Sequence, residues 1–415
     1  MISTIEKEIS ISREVLVSKG NKIRITDSDK DACLDVFCYS SCDNNEDDII
    51  KQCRGIVFNG DRIVLKAYSY TPEYTTSSDS ISSFINSDSY TNISDYKCFD
   101  SYEGTLIRVF NWNDKWYVTT HKKLNAFKSK WGSKDSFGKL FKDAISHEYE
   151  KHETFYEKLQ QYDDESFYDK FLYSLNTSYQ YMFLLRSTQE NRIVCDYPTV
   201  NKLYHTGTFI NNGSDHVFDI DIGIPRPTPI EFSDMESIIK YVDNADFRQI
   251  QGIIMFKGNK QWKIINNEYN ELYDIRGNEA SIKYRYLQVR MDRDMTDKLY
   301  YLYPDYASVF DEYENSLYTI ARNVYTSYIN RYIHKQYISL PVEEYSVMKK
   351  CHEWHRKDRE HNRISLRKVI EITNTLSATC LNKMIKRLLF PQQFSSNTKN
   401  VSLLKNRKQQ TQTTE

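Results

Sequence analysis

No apolar run in this sequence approaches the ~18–20 residues of a membrane-spanning helix, so no such helix and no membrane partner are expected. The opening stretch, MISTIEKEISISREVLVSKG, lacks the apolar core of a secretory signal, so none is expected. Paired cysteine spacing is missing too. The 8 Cys are scattered, which points to free thiols in a reducing compartment and to an intracellular, cytoplasmic location. Cys38 and Cys42 lie close together, but no second pair completes a zinc site. Cys351, His352, His355 and His361 read as one charged helix surface, so no metal site is expected. Net charge is almost absent: 56 Lys and Arg stand against 57 Asp and Glu, so no global field gathers nucleic acid. Gly (12) and Pro (8) are scarce while Tyr reaches 33, a bias that suits AT-rich codons and hence a large DNA virus.

What is present is enough core for two or three domains: 415 residues, 40 % of them hydrophobic. Charge is uneven along the chain. From Lys349 to Lys408 there are 15 Lys and Arg against 4 Asp and Glu, while Asp27 to Asp48 is acidic. Residues 1–284 read mainly as strands. Four hairpins are expected around Asn59-Gly60, Asn111 to Lys115, Asn211 to Gly213, and Gly258-Asn259, each flanked by β-branched and aromatic residues. A polar helical insert is expected near 136–176. The period then changes. Leu317, Ile320, Ala321, Val324, Tyr328 and Ile329 repeat at helical spacing, and Leu366, Val369, Ile370, Thr373, Leu376, Cys380, Leu381 and Met384 predict a second amphipathic helix. The fold class is therefore α+β: an antiparallel-sheet domain followed by an all-helical domain over 285–391. The polar segment 392–415 is expected to be a disordered tail.

Four segments stand in a particular order: Lys51-Gln-Cys-Arg-Gly-Ile-Val-Phe58, Ser101-Tyr-Glu-Gly-Thr-Leu-Ile-Arg108, Leu184 to Val194, and Gln251-Gly-Ile-Ile-Met-Phe followed by Trp262-Lys-Ile-Ile265. In order and spacing they resemble the phage-type RNA ligases of the covalent nucleotidyltransferase superfamily, over roughly residues 35–275. In that family an Arg-Gly strand precedes Lys-x-Asp-Gly; a Glu-bearing strand, Glu-Gly and Lys-x-Lys follow. The resemblance implies a nucleotidyltransferase domain and the cofactors ATP and Mg2+. A Lys amine attacks the α-phosphorus, carboxylates hold the metal, and cations bind phosphates.

The residues at those positions depart from the pattern. Ser101 occupies the nucleophile position and Glu103 that of the Asp. Leu185 aligns with the strand carboxylate, Gln251 with the Glu before glycine, and Ile265 with the second lysine of the last pair. A hydroxyl cannot form a phosphoramide, and losing two carboxylates and a cation weakens both metal and phosphate binding, so ligase catalysis is not expected. The resemblance leaves Arg54, Glu103, Gly104 and Lys263 as nucleotide-binding candidates, with Arg108 nearby. Candidates for RNA contact are Lys122 and Lys123 on the strand after, Arg192, and Lys349, Lys350, Arg356 and Lys357 in the basic helical segment, where Trp354 supplies an aromatic. Three functions compete. One is a viral, ligase-like protein that binds RNA or nucleotide without catalysis. Another is an active ligase with a displaced nucleophile at Lys97, Lys122 or Lys123. The third is an interaction protein with protein partners, such as a virion component or polymerase-associated factor.

Overall fold

The computed structural model describes residues 11–66, 68–87, 90, 92–149, 166–188, 192–210 and 215–392. The expected turn at Asn211 to Gly213, Asn191, the middle of the 136–176 insert and the tail beyond Gln392 lie outside them. The chain divides into two compact units, one up to Asp274 and one from Ile275.

The described residues of the first unit form three sheets. Helix α1 (Arg13–Ser18) precedes β1 (Ile23–Asp29) and β2 (Leu34–Tyr39); α2 (Asp48–Gln52) precedes β3 (Arg54–Asn59) and β4 (Arg62–Leu65). These strands form an antiparallel meander in the order β1-β2-β3-β4. After β5 (Glu73–Thr75) and α3 (Ser78–Ile85) come β6 (Lys97–Ser101), β7 (Thr105–Trp112) and β8 (Lys115–Thr119). Asn113 and Asp114 turn from β7 to β8 with φ of 51° and 60°, the paired positive values of a tight hairpin turn that short polar residues tolerate. Helices α4 (Phe137–Tyr149) and α5 (Phe167–Ser174) follow, then β9 (Gln180–Arg186), β10 (Lys202–Ile210), β11 (Asp215–Val217), β12 (Pro229–Ile230), α6 (Met235–Asp243), β13 (Gly252–Lys257) and β14 (Lys260–Ile265). Two five-stranded sheets result, ordered β11-β10-β9-β7-β8 and β12-β6-β13-β14-β5. The pairing is antiparallel except between β14 and β5.

Side-chain alternation decides what each sheet covers. On β9, Tyr181, Phe183 and Leu185 pack with Phe141, Ala144, Ile145, Phe171 and Leu172 of α4 and α5. The expected polar insert is thus, where described, an integral wall of the core, its apolar stripe interleaved with charged residues that mask it in a composition count. On the other large sheet, Cys98, Ile253, Met255, Trp262 and Ile264 pack with Ile81 and Phe84 of α3 and Met235, Ile238 and Val242 of α6. The opposite faces meet in a third cluster, where Phe99 and Phe256 join Phe110, Met182 and Phe209, and Val36, Val57 and Leu65 of the meander close it. The hairpin β1–β2 was not anticipated, since its strands carry Asp27, Asp29 and Asp35 among the apolar residues.

The second unit is helical. Helix α7 (Asn267–Arg276) runs across the division. After it come α8 (Ile282–Val289), α9 (Arg293–Leu302), α10 (Ala307–Tyr328), a π-helical turn (Ile329–Ile333), α11 (Val342–Lys357), α12 (Leu366–Asn374) and α13 (Ala378–Leu389). Helix α10 is central. It buries Leu317, Ile320, Ala321, Val324 and Tyr328, the residues its periodicity selects, and α8, α11, α12 and α13 pack on it. The second expected helix is broken in two. Ser377 caps a new start, its hydroxyl accepting the Cys380 N–H, so Leu376 falls between α12 and α13. No helix of the described residues is long and apolar enough to cross a membrane. The architecture is α+β, with antiparallel sheets followed by a helical region.

Candidate functional site

A cleft of about 1060 Å³ opens in the first unit. Its floor is one face of β6, β13 and β14: Lys97, Phe99 and Ser101, then Ile254 and Phe256, then Gln261 and Lys263. Gly104, Leu106 and Leu184 form the facing wall, Arg54 and Thr71 one end, and the segment Arg226 to Phe232 a lip. Of the sequence candidates, this brings together Arg54, Ser101, Gly104 and Lys263.

At the centre the polar groups satisfy each other. The Ser101 hydroxyl donates to Gln251 Oε1 at 3.0 Å, and Lys263 Nζ donates to the same oxygen at 2.9 Å and to Glu73 at 3.1 Å. Gln251 Nε2 donates to the Tyr269 phenol oxygen at 2.8 Å, and that O–H donates to Glu103 Oε1 at 2.9 Å. Glu103 also accepts the backbone N–H groups of Val194 (2.7 Å) and Ile193 (3.3 Å). An amide at 251 can accept from Ser101 and Lys263 while donating to Tyr269; a carboxylate there could not donate. Glu103 is 9 % exposed and does not line the cleft, so its carboxylate anchors the loop after β9. Burial pushes the Glu103 carboxyl up and the Tyr269 phenol well up from their ordinary values.

Arg54 sits differently. Its Nη1 donates to the Ser69 carbonyl (3.4 Å) and Thr71 hydroxyl (3.3 Å), and it has no carboxylate partner among the described residues. The glycine after it is required by packing. Gly55 has φ +84°, and a Cβ there would lie 2.5 Å from the His121 carbonyl and 2.7 Å from the Arg108 guanidinium. Arg108 is fully buried, donating to the carbonyls of Gly55 and, at 2.6 Å, Thr120; burial pushes it down to about 9. His121 beside it falls to about 3, through burial first and then the charges of Arg54, Arg108 and Lys122.

Strand register changes two expectations. Leu185 is 1 % exposed and points at α4 and α5; Leu184 is the cleft-facing residue of β9, one position earlier than motif spacing gives. Lys122 and Lys123 lie past the end of β8, in the turn closed by the Thr120–Lys123 bridge, with Lys123 3.5 Å from Asp27. Arg192 turns back on its own loop, donating to the Val194 and Cys195 carbonyls and Asp196. Sequence reasoning missed Arg226, which lies on the lip, and Arg186, whose guanidinium lies 4.9 Å from the Tyr102 ring. Tyr102 in turn stacks on Tyr204 with centroids 5.4 Å apart.

The carboxylates of the cleft do not suit a divalent cation. Asp100 accepts from Tyr241 (2.8 Å) and Tyr102 (3.4 Å), Asp219 lies 4.0 Å from Lys97, and Glu231 sits on the lip. No group of three or more His, Cys, Asp or Glu is placed to hold a metal among the described residues. A hydrolytic or transfer step through a metal is therefore not built from these groups.

No family model matches the chain. It is similar to three curated viral proteins. The immediate-early protein ICP-46 homolog of Invertebrate iridescent virus 3 is 35 % identical over 254 residues, 59 % of this chain and 51 % of the relative. The homolog of Invertebrate iridescent virus 6 is 28 % identical over 386 residues, 86 % and 81 %. ICP-46 of Frog virus 3 is 24 % identical over 205 residues, 48 % and 51 %. The match thus spans about half the length of the first and third. Among solved structures, a putative ATP-dependent DNA ligase from Aquifex aeolicus has TM-score 0.38 and 12 % identity over 72 % of this chain and 78 % of that one. A Naegleria gruberi RNA ligase with ATP and Mn has TM-score 0.30 and 10 % identity over 43 % and 51 %.

Proposed function

We propose that this viral-type protein uses an RNA ligase-like core to bind a nucleotide, or the 5′-phosphate end of an RNA, without covalent nucleotidyl transfer. The observation that carries the reading is the state of Ser101. At the position where the resembled family has an amine, a 3 % exposed hydroxyl donates to Gln251, and among the described residues no imidazole or carboxylate is hydrogen-bonded to it as a base. Around it the means of binding remain. Arg54 faces the cleft without a carboxylate partner among the described residues, and Lys263 stands on the floor. Phe99, Phe218 and Phe256 offer apolar surface for a base. Arg54 and Lys263 would hold phosphate oxygens, with Lys263 exchanging its contact to Glu73 for the ligand.

A second reading is favoured by one residue. Lys97 lies on the same strand and face as Ser101 and lines the same cleft, so a displaced nucleophile has a place to act from. Its side chain is 55 % exposed, however, which does not provide the desolvation that activates an amine.

Incubation with α-phosphate-labelled ATP or GTP and Mg2+ or Mn2+, alongside equilibrium binding of the same nucleotide, separates the two. Saturable binding with no covalent adduct is the expected result. An adduct that disappears in Lys97→Met would replace this reading with the second, and absence of binding would remove both.

A further inference from the structure

The basic part of the second unit carries a surface that motif reasoning only partly anticipated. Helix α10 ends in a π-helical turn, where the His334 N–H reaches the Ile329 carbonyl at 3.1 Å, and Lys335 then takes φ +59°. Such turns widen the helix and re-aim its last side chains. Here the turn lays the Tyr332 ring flat on His352 of α11, with centroids 3.8 Å apart and planes within 9°. Arg331 reaches over Tyr332 at 5.8 Å and over Tyr345 at 5.6 Å. Lys335 is fastened by its Nζ to the Tyr332 carbonyl at 2.8 Å.

On α11, Arg356 follows His352 by four residues and so lies roughly 40° round the helix from it. Burial is the largest influence holding the His352 imidazole below its ordinary range, and the charges of Arg356, His355, Arg359 and Lys335 add to it. Four cations, Arg331, Lys335, Arg356 and Arg359, therefore gather round one aromatic stack, and none forms an ion pair among the described residues. Of the nearby acids, Glu353 pairs with Lys349 at 3.8 Å and Asp358 with His361 at 2.9 Å, while Glu360 follows Arg359 in the chain and is exposed. Two residues past Lys335, the Tyr337 side chain stands 92 % exposed. A large aromatic so open to water, next to unneutralised cations, has the two elements that hold a stacked base and its backbone phosphates.

We propose that the face made by Arg331, Lys335, Arg356 and Arg359 with Tyr337 binds single-stranded nucleic acid, phosphates on the cations and a base on the tyrosine. Of the motif-based candidates on this helix the proposal keeps Arg356, while Lys349 pairs with Glu353. Lys350 and Lys357 lie roughly 140–160° round α11 from His352 and so fall outside it. An acidic protein segment would satisfy the cations but leave Tyr337 without a role, which favours the nucleic acid. The surface is independent of the cleft reading and survives its failure.

The test uses the full chain and fluorescence anisotropy with a ~15-nucleotide oligomer, as RNA and as DNA. A dye blocks its 5′ end so that no terminal phosphate is offered to the cleft, and salt is held near about 50 mM. Arg356→Glu with Arg359→Glu should weaken binding about tenfold or more and make its salt dependence shallower. Tyr337→Ala should weaken it about fivefold with the salt dependence kept, since an uncharged contact is lost. Lys350→Glu with Lys357→Glu should change it less than about twofold beyond general screening. All these positions are exposed, and circular dichroism checks that each variant is folded. Preference for RNA or for DNA, or none, identifies the source of the strand and supports the surface. Equal losses in the two charge-reversed pairs, no effect of Tyr337→Ala, or competition by polyglutamate as strong as by oligomer at equal charge would each overturn it.

Discussion

The centre of the cleft in the first unit and the basic face of the second both carry cations but treat them oppositely. In the cleft, Lys263 and Ser101 donate to Gln251, Gln251 to Tyr269 and Tyr269 to Glu103, whose carboxylate also accepts two backbone N–H groups. Groups placed where catalysis would need them have become structure. On the basic face the charges are held by backbone or ring contacts and left without anions. Retaining a charged residue therefore says little about function until its partners are known; what matters is whether its hydrogen-bonding capacity is already filled.

The largest effect that would break this comparison is on Glu103. If it is structural, Glu103→Ala strands the Val194 and Ile193 N–H groups and the Tyr269 O–H, costing about 3 kcal/mol or more in denaturant unfolding. Glu103→Gln, which keeps an acceptor, should cost clearly less. A stable Glu103→Ala chain that has lost only nucleotide binding would return the residue to the site.

Next comes acid. Burial holds His205 and His216 down to about 4, below the 6.5 of the unfolded chain. The unfolded state then binds more protons between pH 4 and 6.5, so stability is complete above that window and falls as pH drops through it. Hydrogen exchange at pH 7 and about pH 4.5 should show protection lost in β9 and β10 at the lower pH. Unchanged protection there would show that both imidazoles stay neutral for another reason.

Smaller still is Arg54→Ala, expected to weaken nucleotide binding about tenfold with little loss of stability, since its present contacts are two long hydrogen bonds. Isothermal titration distinguishes this from a purely structural arginine, which would change stability and leave affinity alone. The smallest is Ser101→Ala. Gln251 Oε1 keeps its contact with Lys263, so a loss near 1 kcal/mol and an unchanged affinity are expected.

The hairpins β3–β4, β7–β8 and β13–β14 were legible because turn residues and alternation are local signals, and the stripe on α10 for the same reason. The face of β9 was not. Its residues are apolar on both sides, so the motif alone could not separate Leu184 from Leu185; the packing of α4 and α5 decides it. The fate of Glu103 was equally hidden, because its partner Tyr269 is 166 residues away. Arg54, Ser101, Gly104 and Lys263 of the motif segments line one cleft, while the second unit's aromatic stack depends on a π-helical turn that no periodicity announces.

Arg108 has a consequence of a different kind. Its guanidinium must shed water to reach two carbonyls, one of them 53 residues back along the chain, and among the described residues it meets no carboxylate in doing so. The charge can be dehydrated only after β3 and the β7–β8 hairpin have already come together. Because burial disfavours its charged form, the two carbonyl contacts fix β3 against the β7–β8 hairpin at a cost in stability, so the arginine specifies how these strands meet rather than tightening the fold.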